Sequence, residues 1–239
     1  MQFIVDYNNI EFQIRRLGPR LVVERILRAI DLASFTNSPR ANFRFYDGWY
    51  EIQNLTNLAQ QFSVDLQRDF PTTFTISGTS NSTPVRIIAT AIMAVSLQCD
   101  SANNIWHTYR PRSGQGNVRC VHPSTVGCVN SACPSAQVSR FFSSQACTDP
   151  NCSILAEDLV VRNEQKLVDS MMSVDLITSH LQTADPICIV SSDDDLWPAI
   201  KLLLTRGNVV YHVHTKPNRQ TPAFYVNRVS RNQYRQFHL

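Results

Sequence analysis

Apolar and polar positions alternate with two different periods along this chain, and the two periods predict strands and helices in turn. Short apolar runs predict buried strands at residues 3–5, 43–46, 187–191 and 209–213. Apolar side chains three or four positions apart predict helices that begin at Pro19 and Asp169 or cover residues 51–70 and 196–204. Strands that alternate with helices favour an α/β domain with a mainly parallel central sheet.

The pattern is less regular between these elements. Residues 73–76 and 85–97 predict two strands, joined by a loop at residues 78–83 that is rich in Ser, Thr and Asn. The run 85–97 also fits a buried helix, because alanine-rich apolar runs suit either structure. Residues 158–161 predict a short extended segment.

Residues 100–152 interrupt the α/β pattern with a cysteine-rich stretch of little periodicity. We interpret it as an insertion in a domain formed by residues 1–99 and 153–215, followed by a basic tail at residues 216–239. A loop of this length normally contains an organising element. A cluster of cysteines in a reducing compartment favours a metal ion over disulfides.

The insertion contains two close pairs of cysteines that suit a structural zinc ion. Cys128 and Cys133 form one pair, and Cys147 and Cys152 form the other. Four thiolates supply the tetrahedral ligand set of a closed zinc site. Cys120 or His122 could replace one of the four ligands. The alternative is a set of free, partly buried thiols.

Composition excludes a disordered chain, since 43% of residues are hydrophobic and 17% are charged. The net charge is only +3, but the residues from Lys216 onward contain five basic side chains and no acid. Bases segregated from acids favour a phosphate polymer as partner, although a merely soluble basic terminus is an alternative. No apolar stretch approaches the roughly 20 residues of a membrane span. The first residues show neither a basic region nor a cleavage site, so we expect a cytoplasmic protein with no membrane association.

Acidic residues follow the predicted strands. Asp6 ends the first strand, and Asp193 and Asp195 follow the strand at residues 187–191. Asp169 begins a helix, with Asp175 six residues later. Parallel strands bring their carboxyl ends to one edge, where open α/β sheets bind ligands. Carboxylates there could hold Mg²⁺ or Mn²⁺ for phosphodiester hydrolysis. For the acids at 193–195, the alternative is a solvated turn that caps the next helix.

Three motifs carry a family resemblance: VDYNN at residues 5–9, KLVD at 166–169 with Asp175, and SSDDDL at 191–196. In this order they resemble the NYN domain family of PIN-like metal-dependent ribonucleases. The family pattern is Asp-x-x-Asn, then Lys-Gly-Val-Asp with a second Asp six residues on, then Ser-Gly-Asp-x-Asp-Phe. The resemblance implies a PIN-like three-layer sandwich that cleaves RNA with Mg²⁺ or Mn²⁺.

The resemblance also implies roles for single residues. The catalytic metal ligands would be Asp6, Asp169, Asp193 and Asp195. Asp175 would support them, and Asn9 would orient water or a ligand carboxylate, unless it only bonds its own turn. The substrate, single-stranded or structured RNA, would contact Lys166 and Ser191. Independently of the resemblance, a zinc ion would fold the insertion and present Arg112 and Arg119 near the cleft, where they would bind RNA. Lys166 could equally be an ordinary exposed lysine.

The sequence departs from the family pattern at three positions. Leu167 and Ser192 stand where the family has glycine, and Leu196 replaces phenylalanine. None of these changes removes a carboxylate. We expect Asp194 to point away from the metal, and Asp47 to form a turn with Gly48. Two other functions stay open: a non-catalytic, zinc-containing RNA-binding module and a structure-selective DNA nuclease.

Overall fold

The computed structural model places most of the chain. It describes residues 1–30, 39–77, 84–113, 120–130, 133–147, 149, 151–159, 161–165, 167–182 and 185–239. Only the backbone is described for residues 110–113, 157, 161–164, 180 and 182.

Strands and helices alternate over the first and last parts of the chain. The strands are β1 (Gln2–Asp6), β2 (Arg40–Tyr46), β3 (Tyr50–Glu51), β4 (Asn54–Leu55), β5 (Thr72–Ile76), β6 (Val85–Met93), β7 (Ser96–Leu97), β8 (Asp100–Asn104), β9 (Tyr109–Ser113), β10 (Val161–Gln165), β11 (Ile187–Val190), β12 (Val210–His214) and β13 (Tyr234–His238). The helices are α1 (Phe12–Arg15), α2 (Pro19–Ala29), α3 (Asn57–Asp69), α4 (Pro134–Ser144), α5 (Ala156–Leu159), α6 (Val168–Gln182), α7 (Trp197–Thr205) and α8 (Ala223–Val226).

A seven-stranded sheet has the order β13-β12-β11-β1-β2-β6-β5. Every neighbouring pair is parallel except β5 and β6, which are antiparallel. The predicted α/β architecture with a mostly parallel sheet is therefore confirmed, as are the strands predicted at β1, β2, β11 and β12.

Helices cover both faces of the sheet because successive strand residues point to opposite sides. Phe3 and Val5 of β1 pack in one apolar cluster with residues of α2 and α3. Ile4 belongs to a second cluster with Ile187, Ile189 and residues of α6 and α7. Each large apolar side chain in these clusters contributes about 1.5 to 3 kcal/mol by leaving water. The central strands are thereby fixed from both faces.

In the first half of the chain, the structure decides two local predictions. The helix predicted over residues 51–70 begins only at Asn57, where Thr56 caps it by accepting a 3.2 Å hydrogen bond from the Ala59 amide. The residues before it form β3 and β4 around a turn in which Ile52 has a φ of 56°. Residues 85–97 form strands β6 and β7, so the helix alternative is wrong.

The segment predicted as a basic tail is part of the main sheet. β13 pairs in parallel with β12, with Val210 opposite Tyr234 and Val213 opposite Phe237. The prediction of a separate tail at residues 216–239 is therefore wrong. Its basic residues lie on an edge strand and on the loops that lead to it.

The chain divides into two compact units, one formed by residues 1–109 and 165–239 and the other by residues 110–164. The second unit covers residues 110–164, whereas the insertion was predicted at residues 100–152. It contains α4, which begins with Pro134 at its first turn, and α5, which occupies part of the segment predicted to be extended at 158–161. The hydroxyl of Ser139 on α4 donates a 3.1 Å hydrogen bond to the Cys120 carbonyl. Within the described residues, no helix has both the length and the apolar character needed to cross a membrane.

Candidate metal centre at the carboxyl edge of the sheet

The carboxyl ends of three neighbouring strands place the predicted acids at one edge. β1 lies between β11 and β2, with Val5 opposite Val190 and Asp6 opposite Tyr46. The residues that follow β11 therefore emerge beside Asp6, and Asp47 emerges on its other side. This edge is where ligands bind in open α/β sheets.

Three aspartates meet at this edge. Asp169, at the start of α6, lies with Asp193 and Asp195 so that one carboxylate oxygen of each falls within 4.8 Å of the others. Asp193 is half-buried, and the other two residues are exposed. In the part of the chain that the structure describes, this is the one group of three or more His, Cys, Asp or Glu side chains close enough to share a metal ion.

Asp6 lies behind this triad in a buried position. Its carboxylate accepts hydrogen bonds from the Ser191 hydroxyl at 3.0 Å and the Asn9 amide at 3.2 Å. The pKa of Asp6 is raised from 3.8 to about 7, chiefly by burial and to a smaller extent by the charges of Asp169 and Asp47, while the two hydrogen bonds oppose the rise. Asp6 thus belongs to the acidic edge, although it is not one of the three mutually close carboxylates.

The surroundings of Asp169 disfavour the ionised form of its carboxyl group. Although Asp169 as a residue is exposed, partial enclosure of its carboxyl raises its pKa, and the charges of Asp193 and Asp195 raise it again. A bound cation would reverse this electrostatic penalty. An all-oxygen ligand set of this kind suits Mg²⁺ or Mn²⁺.

Ser191 and Asn9 connect the loops that carry the acids. Besides donating to Asp6, the buried Ser191 hydroxyl accepts a 3.1 Å hydrogen bond from the Asp193 amide. The Asn9 side-chain carbonyl accepts from the Ser192 amide at 2.9 Å and from the Thr215 hydroxyl. These contacts favour positioning roles for both residues. A contact between Ser191 and the substrate was predicted from the sequence. Ser191 is fully buried, which disfavours that contact.

Asp47 follows β2 and is a second buried acid at the edge. Its Oδ1 accepts a 2.6 Å hydrogen bond from the Gly48 amide and a second hydrogen bond from the Gln165 side chain, and the backbone bends at Asp47. The other oxygen has no hydrogen-bond partner in the described residues. Burial raises the pKa of Asp47 to about 6. Gly48 is needed here, because a Cβ at this position would lie 2.8 Å from the Tyr109 Cβ.

Asp194 is engaged elsewhere, as predicted. Its carboxylate pairs with the Arg219 guanidinium, and it does not belong to the triad. The three consecutive acids therefore divide into two that face the edge and one that holds the loop leading to β13.

Asp175 also lies outside the triad. It is fully buried, and its Oδ2 accepts hydrogen bonds from the Arg44 guanidinium at 3.0 Å and the Tyr46 hydroxyl at 2.6 Å. Its Oδ1 accepts from the Gln98 amide at 2.8 Å. Both oxygens are thus used by the protein itself. The geometry favours a structural role, tying α6 to the sheet, over the supporting catalytic role that the resemblance implies.

The two positions where the family has glycine differ in backbone conformation. Leu167 has a φ of 67°, the left-handed region that glycine adopts without strain. Ser192 is not in the left-handed region. Its hydroxyl accepts hydrogen bonds from the Thr215 amide at 2.9 Å and the Lys216 amide at 3.0 Å. Serine at 192 is thus accommodated and used, whereas leucine at 167 is strained.

Replacing Leu167 with glycine is expected to raise the free energy of unfolding by roughly 0.5 to 1 kcal/mol. Relief of a left-handed conformation, about 1 to 2 kcal/mol, exceeds the extra chain entropy that glycine loses on folding. Leu202, in the middle of α7, provides the control, because Leu202→Gly should destabilise by about 1 kcal/mol or more. Urea unfolding of both variants measures the two effects. A loss of stability in Leu167→Gly equal to that in Leu202→Gly would contradict the strain at residue 167.

The four cysteines predicted to hold zinc are all described, and they do not form a common group. The Cys128 thiol donates a hydrogen bond to Cys133, which lies at the start of α4. The Ser135 amide and hydroxyl, followed by this contact, lower the pKa of Cys133. Cys147 and Cys152 do not join them in a set of three or more mutually close ligands. All four are free thiols, so the zinc site stays a prediction.

Three predicted substrate contacts are not placed by the structure. Lys166 and Arg119 lie outside the described residues, and only the backbone of Arg112 is described, in β9. Their predicted contacts with RNA stay predictions.

Two buried residues near the edge, His212 and Thr215, were not predicted from the sequence. His212 on β12 donates through Nε2 to the Ser191 carbonyl at 2.9 Å and accepts at Nδ1 from the Tyr234 hydroxyl at 2.7 Å. Burial, with help from the charge of His214, lowers the pKa of His212 to about 3, so it stays neutral. Thr215 donates to Asn9. The only sequence signal was a polar residue within or just after an apolar strand.

Comparison with protein-family models, with curated proteins and with solved structures finds no match to this chain. A proposal about function therefore depends on the aspartate geometry and on the motifs in the sequence.

Proposed function

We propose that this chain is a metal-dependent endoribonuclease with a PIN-like, NYN-type fold. One observation carries the proposal: carboxylate oxygens of Asp169, Asp193 and Asp195 lie within 4.8 Å of one another at the carboxyl edge of a parallel sheet. Asp6 adds a fourth acid beside them. The order of the motifs along the chain supports the same family.

The side chains at the edge suit a divalent cation. Asp169, Asp193 and Asp195 would hold Mg²⁺ or Mn²⁺, with Asp6 close behind them. Burial and neighbouring carboxylates raise the pKa values of Asp6 and Asp169, and a bound cation would offset this penalty on their ionised forms. When bound, such an ion stabilises charge that develops on a phosphoryl group and lowers the pKa of water.

The protein's own residues orient the carboxylates of Asp6 and Asp193. The Ser191 hydroxyl donates to the Asp6 carboxylate and accepts from the Asp193 amide. One side chain thus orients the Asp6 carboxylate and holds the backbone of Asp193. Asp193 in turn accepts a 3.0 Å hydrogen bond from the Asp195 amide. Asn9 holds the turn after β1 against Ser192. Preorganised groups of this kind avoid reorganisation during the reaction.

The test uses a labelled single-stranded RNA, with DNA of the same sequence as the matched substrate. With Mg²⁺ or Mn²⁺ we expect internal cleavage of the RNA, and with chelator none. Faster cleavage of the DNA would replace the proposal with a DNA nuclease. No cleavage of either substrate with either metal would contradict catalysis and favour a binding module.

A further inference from the structure

An exposed phenylalanine with two arginines follows the acidic edge along the chain. Phe12 is 63% exposed at the start of α1. The Arg15 guanidinium lies 6.0 Å from the centre of its ring, and that of Arg16 lies 5.8 Å away. We call Phe12, Arg15 and Arg16 the aromatic–arginine patch. A ring that stays in water while holding two cations near it contributes little to a core, so packing does not explain it.

The patch is connected to the turn that carries Asp6. Arg15 Nη1 donates a 3.3 Å hydrogen bond to the side chain of Asn8, and the next residue, Asn9, is bound to Ser192. Burial raises the pKa of Asp47, and the Arg15 charge offsets part of that rise. The charge of Asp47 acts in turn on Asp6. The patch therefore borders the aspartate edge.

The Arg15 guanidinium lies beside the Tyr7 ring. Its Nε is buried and has no hydrogen-bond acceptor among the described residues. The rest of the guanidinium lies 5.7 Å from the centre of the Tyr7 ring, which holds its plane in place. The buried Nε is out of reach of a ligand, so an oxyanion would meet the outer N–H groups. A guanidinium held in this way suits an oxyanion such as phosphate, which accepts from such groups.

We propose that the aromatic–arginine patch binds single-stranded RNA, with an unpaired base stacked on the Phe12 ring and neighbouring phosphates on Arg15 and Arg16. The choice of RNA rests on the proposed ribonuclease function. A paired base is stacked within its duplex and cannot offer its face to a side chain, whereas an unpaired base can. The patch thereby selects unpaired segments for the adjacent acids.

Binding is measured without cleavage, by fluorescence anisotropy of a labelled single-stranded RNA in chelator. Phe12→Ala should weaken binding roughly tenfold, as should Phe12→Leu, while Phe12→Trp should retain it. Arg15→Ala and Arg16→Ala should weaken binding and reduce its dependence on salt.

Phe224→Ala removes another exposed phenylalanine, and Arg68→Ala removes an exposed arginine on α3. Both controls should bind like the wild type.

The outcomes separate this inference from the proposed activity. Weaker binding in Phe12→Ala and Phe12→Leu, with binding retained in Phe12→Trp, supports the patch even if the wild type cleaves nothing. Cleavage by the wild type, with unchanged binding in Phe12→Ala and in the two arginine variants, overturns the patch and leaves the activity standing. Absence of RNA binding by the wild type overturns the patch, as does equal binding of a fully paired duplex. Circular dichroism of Phe12→Ala confirms folding, and Phe12→Leu supplies a second variant that keeps the apolar surface.

Discussion

Replacing Asp193 with asparagine is expected to lower metal-dependent RNA cleavage by roughly 10²- to 10³-fold, because it removes one of three carboxylates that would share the cation. Asp195→Asn should act similarly. Folding should be preserved, since asparagine can still accept the hydrogen bond from the Asp195 amide that Asp193 accepts.

Asp194 offers a matched control in the same three-residue run. It carries the same side chain as its neighbours but pairs with Arg219. Asp194→Asn should therefore retain cleavage to within about twofold, as expected for a partly exposed ion pair that contributes little. Cleavage rates under equal Mg²⁺ concentrations decide the comparison. Metal-dependent cleavage that survives in both Asp193→Asn and Asp195→Asn would remove these residues from the site.

Replacing Asp175 with alanine is expected to lower the free energy of unfolding by about 3 to 5 kcal/mol. The substitution leaves the Arg44 guanidinium buried without its carboxylate, and it also deprives the Tyr46 hydroxyl and the Gln98 amide of their acceptor. Urea unfolding gives the magnitude. Asp65→Ala breaks the surface pair with Arg68 and should cost no more than about 1 kcal/mol.

A second pair of variants separates the structural role of Asp175 from a catalytic one. Arg44→Leu combined with Asp175→Leu removes both buried charges, so part of the lost stability should return. Asp175→Asn should cleave RNA, per folded molecule, at a rate within about tenfold of the wild type. A folded Asp175→Asn protein with no cleavage would restore the supporting catalytic role that the family resemblance implies.

The central strands were predictable because burial on both faces leaves an unbroken apolar run. Phe3 to Val5 and Ile187 to Val190 show it, and each is fully buried. β13 was not predictable in this way, since it is an edge strand in which Tyr234 alone is buried. Its exposed Arg235 and Gln236 resemble the residues of a tail.

The site was predictable to the extent that strand topology determines it. Asp6 and Asp193 follow strands that turned out to be neighbours, and adjacency in a parallel sheet brings their carboxyl ends together. The burial of Asp175 could not be predicted. Its partner Arg44 lies 131 residues away, and no local pattern connects an arginine in a strand with an acid on a distant helix.

The hydroxyl and amide contacts that orient the acids were hidden for a similar reason. The Ser192 hydroxyl accepts from the Thr215 amide, and His212 donates to the Ser191 carbonyl, across the neighbouring strands β11 and β12, so the partners are 23 and 21 residues apart. Short polar side chains after a strand are common in turns, so their type alone does not identify a partner. The backbone at Leu167 is different, because the motif that it resembles has glycine at this position, and glycine is typical of positions with a positive φ such as that of Leu167.

Binding of Mn²⁺ tests the aspartate triad most directly, since it needs neither a substrate nor a chosen nucleic acid. The electron paramagnetic resonance signal of free Mn²⁺ measures how much of the ion the protein removes from solution. We expect the wild type and Asp194→Asn to bind Mn²⁺ equally, and Asp169→Asn, Asp193→Asn and Asp195→Asn each to bind at least about tenfold more weakly. Equal Mn²⁺ binding by the wild type and all three triad variants would show that these carboxylates do not form a common metal site.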